Sequence, residues 1–320
     1  MSKVWSYGIS NFDVIAQPVQ MWPKPGELIL TDKTEFMLGG PAINTAITLR
    51  KIGFEEVGLI ACFGEDRAGR ILATELEKAG VDTRSVAISH TSPTAVCIVC
   101  VHPGGERSFL YSFGGNNELG PENADLSRVS DGDYFHLGAA MGMGKSRAEQ
   151  IVPILETLRK KAVLVSVDTC FDPVGAWWPS LAPCLPYADV LFSNENEAQS
   201  LTGFSDPRQA AGRFYQAGAK TVVIKLGSDG AYVLSAAWEG RIAPFRVSVV
   251  DTTGAGDSFC GGFLFGMSQN WPLEQAGIFA NAVGALCVGS FGATTGIKSY
   301  AETVALVQAQ GRLGMWNWEL

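Results

Sequence analysis

The segment DTTGAGDSFCGGFLFG, beginning at Asp251, sets three small residues and a carboxylate at the opening of an apolar helix, just after the β-rich run FRVSVV. Gly254, Ala255 and Gly256 would expose backbone N–H groups at the helix N-terminus. Unpaired amides and the positive end of the helix dipole hold an anion there. Asp257 then falls in the first turn, beside the anion. As a phosphate ligand a carboxylate would repel. As a base it could take a proton from an attacking hydroxyl while the amides absorb phosphoryl charge. A glycine turn with an Asp helix cap would give the same letters, so this segment alone leaves both readings open.

Other residues could serve the same chemistry. GGPAINTA at 39–46 is a second glycine element leading into a helix; the backbone at Gly39 and Gly40 could approach a ligand closely, and Asn44 offers a donor and an acceptor. Asn11 and Asp13 in GISNFDVI follow a short strand, and in a parallel sheet that end of a strand faces the ligand crevice. A carboxylate there suits paired sugar hydroxyls, although an Asp in a β-turn looks alike. SNENEAQSLTG follows the strand ADVLF and opens a helix, with Asn194, Glu195 and Glu197 as oxygen ligands for Mg²⁺, direct or through water. TVVIKLGSDGAYV places Lys225, Gly227, Ser228 and Gly230 after another strand, in a turn that either receives a nucleotide or closes a tight hairpin.

Two patterns mislead. GAAMGMGKS at 138–146 resembles a Walker A loop, but the pattern needs Gly at 139 and the residue is Ala139. Cys97 and Cys100 have the spacing of a metal knuckle, yet they lie in the apolar β run TAVCIVCV, where an odd spacing puts them on opposite faces. Core residues explain them better.

The elements that must hold these residues alternate. β-rich runs such as VGLIACFG, DYFHLG, AVLVSVD, ADVLFSN and TVVIKLG are separated by helical stretches such as AGRILATELEKAG and RAEQIVPILETLRKK. That rhythm predicts an α/β fold with a mostly parallel central sheet flanked by helices. Residues 14–38 and 94–113 break it. Both read as strand–turn–strand, turning at Pro23–Gly26 and Pro103–Gly105, and both adjoin glycine-rich segments. They predict a small β-sheet lid over a site, set on an α/β domain of residues 1–13, 39–93 and 114–320.

The chain's 320 residues are 47% hydrophobic and 18% charged, an ordinary globular composition. Its net charge of −8, with no long basic run, argues against a nucleic-acid surface. The absence of an 18-residue apolar run argues against a membrane span, and the N-terminal residues do not read as a signal peptide. Seven scattered cysteines fit buried thiols of a cytoplasmic protein.

GISNFD, GGPAINTA, GERSF, NENE, KLGSDG and DTTGAGDSF, in that order, resemble the ribokinase-like sugar kinase family, also called PfkB. The resemblance runs from about residue 4 to residue 305, and DTTGAGDSF is its most specific part. It implies an ATP-dependent kinase acting on a small sugar, with Asp257 as base and Gly254–Gly256 as anion hole. By the same resemblance Asn11, Asp13, Gly39, Gly40 and Asn44 would hold substrate hydroxyls. Asn194 and Glu197 would serve Mg²⁺ and phosphate, and Lys225, Gly227, Ser228, Gly230 and Asn281 would line the ATP site. A monovalent cation such as K⁺ is implied beside the anion hole, with Asp251, Thr253, Cys287, Ser290 and Gly292 as ligands; a further position, often Ser in the family, is Gly296.

Two departures bear on the substrate. The strand ending at Asp168 is followed by TCFDPVGAWW, without the Arg that reads acidic sugars in ketodeoxygluconate kinases. The turn GAAMGMG lacks the carboxylate that ribokinases place there. The missing Arg disfavours acidic or already phosphorylated sugars and so favours a neutral one; nucleosides stay open, and a catalytically silent sugar-binding regulator is the other alternative. Apolar residues in the lid stretches (Val19, Met21, Trp22, Val96, Ile98 and Val101) predict a homodimer through the lid.

Overall fold

The computed structural model describes residues 2–104, 106–142, 148–314 and 316–318. Strands β1 (Val4–Gly8), β4 (Val57–Ile60), β9 (Tyr134–Gly138), β10 (Leu164–Asp168), β11 (Val190–Asn194), β12 (Thr221–Lys225), β13 (Ala231–Ser235) and β14 (Glu239–Ile242) form one sheet. Its order is β14-β13-β12-β11-β10-β9-β1-β4. The six strands from β4 to β12 run parallel, and β13 and β14 add an antiparallel edge. A four-stranded sheet of β2 (Asn11–Gln17), β3 (Lys33–Gly39), β7 (Val96–Val101) and β8 (Arg107–Ser112) stands apart in the order β3-β2-β7-β8. A short parallel pair, β5 (Cys62–Gly64) and β6 (Ala87–Ser89), completes the strands.

The helices are α1 (Pro41–Lys51), α2 (Arg67–Lys78), α3 (Ala148–Lys160), α4 (Trp178–Leu181), α5 (Glu195–Thr202), α6 (Pro207–Gln216), α7 (Ala255–Ser268), α8 (Leu273–Val288) and α9 (Tyr300–Ala309). Two large apolar clusters fill the body. One packs Trp5, Tyr7, Phe135 and Leu191 with residues of α3 and α6; the other packs α1, α7 and α8 with Leu59 and Phe63. α7 is apolar on almost every side, as a helix buried between others must be. It lies close against α1: a Cβ on Gly261 would meet Thr48 Cγ2 at 3.0 Å. That contact fixes the distance between Asn44 on α1 and Asp257 on α7.

Local structure departs from the sequence reading at several points. Asn11 and Asp13 belong to β2 of the small sheet; they do not form a turn at the tip of the large one. The run FRVSVV forms no strand. Val249 and Val250 are exposed there, and the amides of Val250 and Asp251 both donate to Val288 O, so the segment is tied to the end of α8. β2 and β3 are joined by a long irregular connection, from Pro18 to Asp32, in place of a compact turn. Within it Val19 is buried, contrary to the expectation that it is exposed, and Val96 and Val101 are half-buried. Cys97 and Cys100 lie in β7, both buried, and none of the seven cysteines forms a disulfide. Much of the Walker-like segment, residues 143–147, lies outside the described residues. None of the described helices is long and apolar enough to cross a membrane.

Candidate active site

β10, β11 and β12 end in Asp168, Asn194 and Lys225, at the C-terminal ends of these inner strands of the large sheet, where α5 begins and α7 approaches. Gly254 caps α7 in the left-handed conformation, with φ 74°. A Cβ there would fall 2.3 Å from Ala293 O, so the close turn requires glycine. Ala255 N turns back onto Thr252 O, and Ser258 N makes the first helical bond, to Gly254 O. The Gly256 and Asp257 amides between them precede that ladder and project from the helix end.

Asp257 is the third residue of α7. Asn44 Nδ2 donates to its Oδ2 at 2.8 Å, and Thr45 Oγ1 lies 3.3 Å from its backbone oxygen. Burial pushes the Asp257 carboxyl above the usual range, against the pull of Asn44 and of the Lys225 ammonium. Oδ1 of Asn44 is buried and has no hydrogen-bond partner. A buried amide oxygen without a donor marks a place where a ligand hydroxyl fits.

Lys225 Nζ donates to both oxygens of Asp168, at 2.7 and 3.0 Å, and both side chains are almost fully buried. A Cβ on Gly256 would come 3.2 Å from that nitrogen, so the ammonium rests against the Gly254–Gly256 turn. Burial would lower the Lys225 pKa, but the carboxylate of Asp168 outweighs it and holds the ammonium above the ordinary lysine value. Asp168 itself is pushed up to about 7 by burial, against the pull of Lys225.

Asn194 and Glu197 form a capping box on α5: Asn194 Oδ1 accepts from Glu197 N at 2.8 Å, and the Glu197 carboxylate bonds back. Thr169 Oγ1 lies 2.6 Å from Glu197 Oε2 and 2.9 Å from Ser193 Oγ. Glu195 is exposed. No group of three or more His, Cys, Asp or Glu gathers as a direct metal cage among the described residues. The half-buried Glu197 carboxylate suits Mg²⁺ held through water, together with phosphate oxygens.

Gly227 and Ser228 are exposed at the β12–β13 hairpin, and Gly230 closes it beside Ile242 O. The turn is thus a tight hairpin whose exposed residues Gly227 and Ser228 leave one side open. Asn281 Nδ2 donates to the carbonyls of Ile242 and Ala243, so this amide fastens the chain after β14 to α8. Asn11 and Asp13 are buried on the small sheet and joined by an Asn11 Nδ2 to Asp13 Oδ1 hydrogen bond. A Cβ on Gly39 would meet the Asp13 carboxylate at 2.2 Å, which accounts for the glycine beside it. Burial pushes the Asp13 carboxyl up to about 7.

Sequence reasoning passed over three residues here. Asp168 enters the sequence reading only as the end of a strand whose following segment lacks an Arg, and Thr169 is not singled out there. Arg107 was one letter of GERSF. It extends from β8 to hydrogen-bond Asp251 Oδ1 and Thr253 Oγ1. A basic residue in a predicted lid strand was the available signal, but its partner lies 144 positions away.

Residues 1–299 match the pfkB family carbohydrate kinase domain. The chain belongs to the PfkB family. Among relatives of this family, it is 34% identical over 295 residues to an ATP-dependent ribose-1-phosphate kinase of Halopiger xanaduensis, covering 92% of this chain and 94% of that one. It is 29% identical to an aminoimidazole riboside kinase of Salmonella typhimurium, covering 93% and 92%. A crystal structure of ribokinase from Thermotoga maritima superposes with a TM-score of 0.80 at 27% identity, covering 96% of this chain and 99% of the other. The PfkB assignment agrees with the ribokinase-like fold, the large mixed sheet with a second small one, and with a phosphotransferase acting on a carbohydrate.

Proposed function

We propose that this chain transfers the γ-phosphoryl group of ATP to a hydroxyl of a small neutral sugar, with Asp257 as the base. The observation that carries this reading is the Asn44–Asp257 pair. Asn44 holds Oδ2 of the carboxylate, which leaves Oδ1 to accept a proton, while its own unpartnered Oδ1 awaits a substrate hydroxyl. The hydroxyl oxygen forms the new P–O bond and its proton passes to Asp257. The bridging oxygen between the β- and γ-phosphorus atoms leaves on ADP with the electron pair. The Gly254–Gly256 backbone and the Lys225 ammonium would meet the charge that spreads over the transferred group. Asn194 and Glu197 would hold Mg²⁺ through water, where the ion offsets phosphate charge.

Asn11 and Asp13 would accept and donate hydrogen bonds to ring hydroxyls, with Gly39 and Gly40 allowing the ring to lie close. Gly227, Ser228 and Gly230 would line the nucleotide on its exposed side, with Asn281 holding the neighbouring chain in place. The small sheet of residues 14–38 and 94–113 would act as the lid of the α/β domain. The names of the two relatives given above speak for a ribosyl compound. The first of them acts on a phosphorylated sugar, so ribose-1-phosphate stands as the second reading beside a nucleoside. Seven cysteines without a disulfide, six of them buried, support a cytoplasmic setting.

A homodimer through the lid is supported by one row of the small sheet. Phe36, Val14, Ile98 and Leu110 pair side by side across β3, β2, β7 and β8 on the face away from Asp13, and Phe36 is 69% exposed. Met21 and Trp22 are exposed nearby in sequence.

Coupled ADP release over neutral sugars, ribose-1-phosphate and nucleosides tests the reaction. Sugar-stimulated turnover is expected, strongest for a neutral pentose or its riboside. Tight sugar binding without any turnover would favour the silent regulator.

A further inference from the structure

The resemblance implies a monovalent cation beside the anion loop, and three of its proposed ligands, the Asp251 carboxylate and the carbonyls of Thr253 and Cys287, do not suit one here, because hydrogen-bond donors of the protein already reach them. Asp251 is buried, and its Oδ1 accepts from Thr253 N at 2.8 Å, from Thr253 Oγ1 at 2.7 Å and from Arg107. Its Oδ2 accepts from Gly292 N at 2.9 Å. Arg107 also bonds Thr253 Oγ1. The Cys287 thiol lies 3.4 Å from Thr253 O and 3.1 Å from Ala293 O, and Ser290 N donates to Cys287 O. On the neighbouring loop, Lys51 Nζ donates to Thr294 O at 2.7 Å. The family's frequent Ser has no room either: a Cβ on Gly296 would lie 2.1 Å from Leu286 O and 2.9 Å from Cys287 O.

We infer that Arg107, reaching down from the lid, supplies the fixed positive charge at Asp251 that relatives leave to a monovalent cation, so that the kinase needs no such ion. The guanidinium is planar and permanently charged, and here it spans a carboxylate oxygen and a hydroxyl oxygen. Asp251 and Thr253 lead directly into Gly254, so this bridge orders the chain that aims the anion-binding amides. Arg107 is in register with Val101, on the lid face that packs near Phe291. The charge therefore reaches Asp251 only while the lid strand is seated over the loop. Lys51 supplies a second internal cation on the side of α1. Arg107 is thus a positioning residue, acting through Asp251 and Thr253.

The inference rests on the kinase reading, but one arm of its test needs no turnover. The melting temperature of the substrate-free full chain is measured in KCl and in tetramethylammonium chloride at matched ionic strength. The same two salts are used for the rate of phosphoryl transfer. Wild type is expected to melt alike and turn over alike in both. Arg107→Met should lower kcat roughly tenfold, the cost of losing a charge-assisted hydrogen bond, and should then gain both rate and melting temperature from K⁺. Arg107→Lys keeps the charge without the fork and should fall between them, still indifferent to K⁺. Stabilisation and activation of wild type by K⁺ would overturn the inference, as would an Arg107→Met enzyme with full activity in tetramethylammonium chloride. If no acceptor is phosphorylated, the kinase reading fails separately while the melting comparison still decides the cation question.

Discussion

Asn44 donates its Nδ2–H to Oδ2 of Asp257 at 2.8 Å, joining residues 213 positions apart through the packing of α1 against α7. The bond holds one oxygen of the carboxylate and leaves the other, which in the proposed reaction would take the substrate proton. Asp257→Asn preserves that geometry but removes the proton acceptor. Its kcat should drop by roughly 10²–10⁴-fold, the usual worth of a placed base, with sugar affinity nearly unchanged. Isothermal titration beside steady-state kinetics separates the two, and an unimpaired kcat would reduce Asp257 to a helix residue.

Asp13 gives a pH signature of a different kind. Burial pushes its carboxyl up to about 7, and only the ionised form accepts sugar hydroxyls without first losing a proton. KM for the sugar should therefore rise as pH falls below 7, approaching about tenfold per unit. Asp13→Asn should have a raised KM that no longer varies in that range. Stability runs in the opposite sense. A carboxyl raised in the folded state favours the fold below the unfolded value of 3.8, and that advantage is lost as pH rises through 7. Asp13→Asn should accordingly gain on wild type in melting temperature between pH 5 and pH 8, which thermal scans across that window would read.

The Lys225–Asp168 pair predicts a separation of stability from activity. Lys225→Met leaves a buried carboxylate without its cation, at a cost of roughly 3–5 kcal/mol. Because burial already holds Asp168 near 7, that cost should be greatest above pH 7 and ease below it as the carboxyl takes up a proton. Adding Asp168→Asn to Lys225→Met should restore much of the stability in denaturant melts. It should not restore kcat, since the ammonium beside Gly256 is still missing. Recovery of both together would show that the pair serves the fold alone.

The apolar row of the lid predicts self-association. Ile98 pairs with Val14 on one side and Leu110 on the other, at the centre of that row. Light scattering of the wild type should give twice the 34.1 kDa chain mass, and Ile98→Lys should return a monomer of unchanged helix content. A monomeric wild type at micromolar concentration would remove the dimer, and a dimer undisturbed by the substitution would move the interface elsewhere.

Local chemistry carried much of this into the sequence. The alternation of β-rich runs with helical stretches already contains the parallel sheet, because its side-chain periods are set by neighbours a few residues away. The anion loop is legible for the same reason: Gly254, Ala255, Gly256 and Asp257 are adjacent, and a left-handed cap before a helix is a local event. The capping box of Asn194 and Glu197 also spans only three positions. Tertiary structure alone decided which distant groups share a charge. Nothing within a few residues of Lys225 points to Asp168, and nothing near Arg107 points to Asp251, since the first pair joins two separate strands of the large sheet and the second joins the small sheet to the segment before α7. The run FRVSVV shows the limit from the other side. Its β-propensity is real, but no strand pairs with it, and Val288 O accepts from the amides of Val250 and Asp251, tying the run to the end of α8. Propensity is a property of residues, whereas pairing and ion partners are properties of what the folded chain brings alongside them.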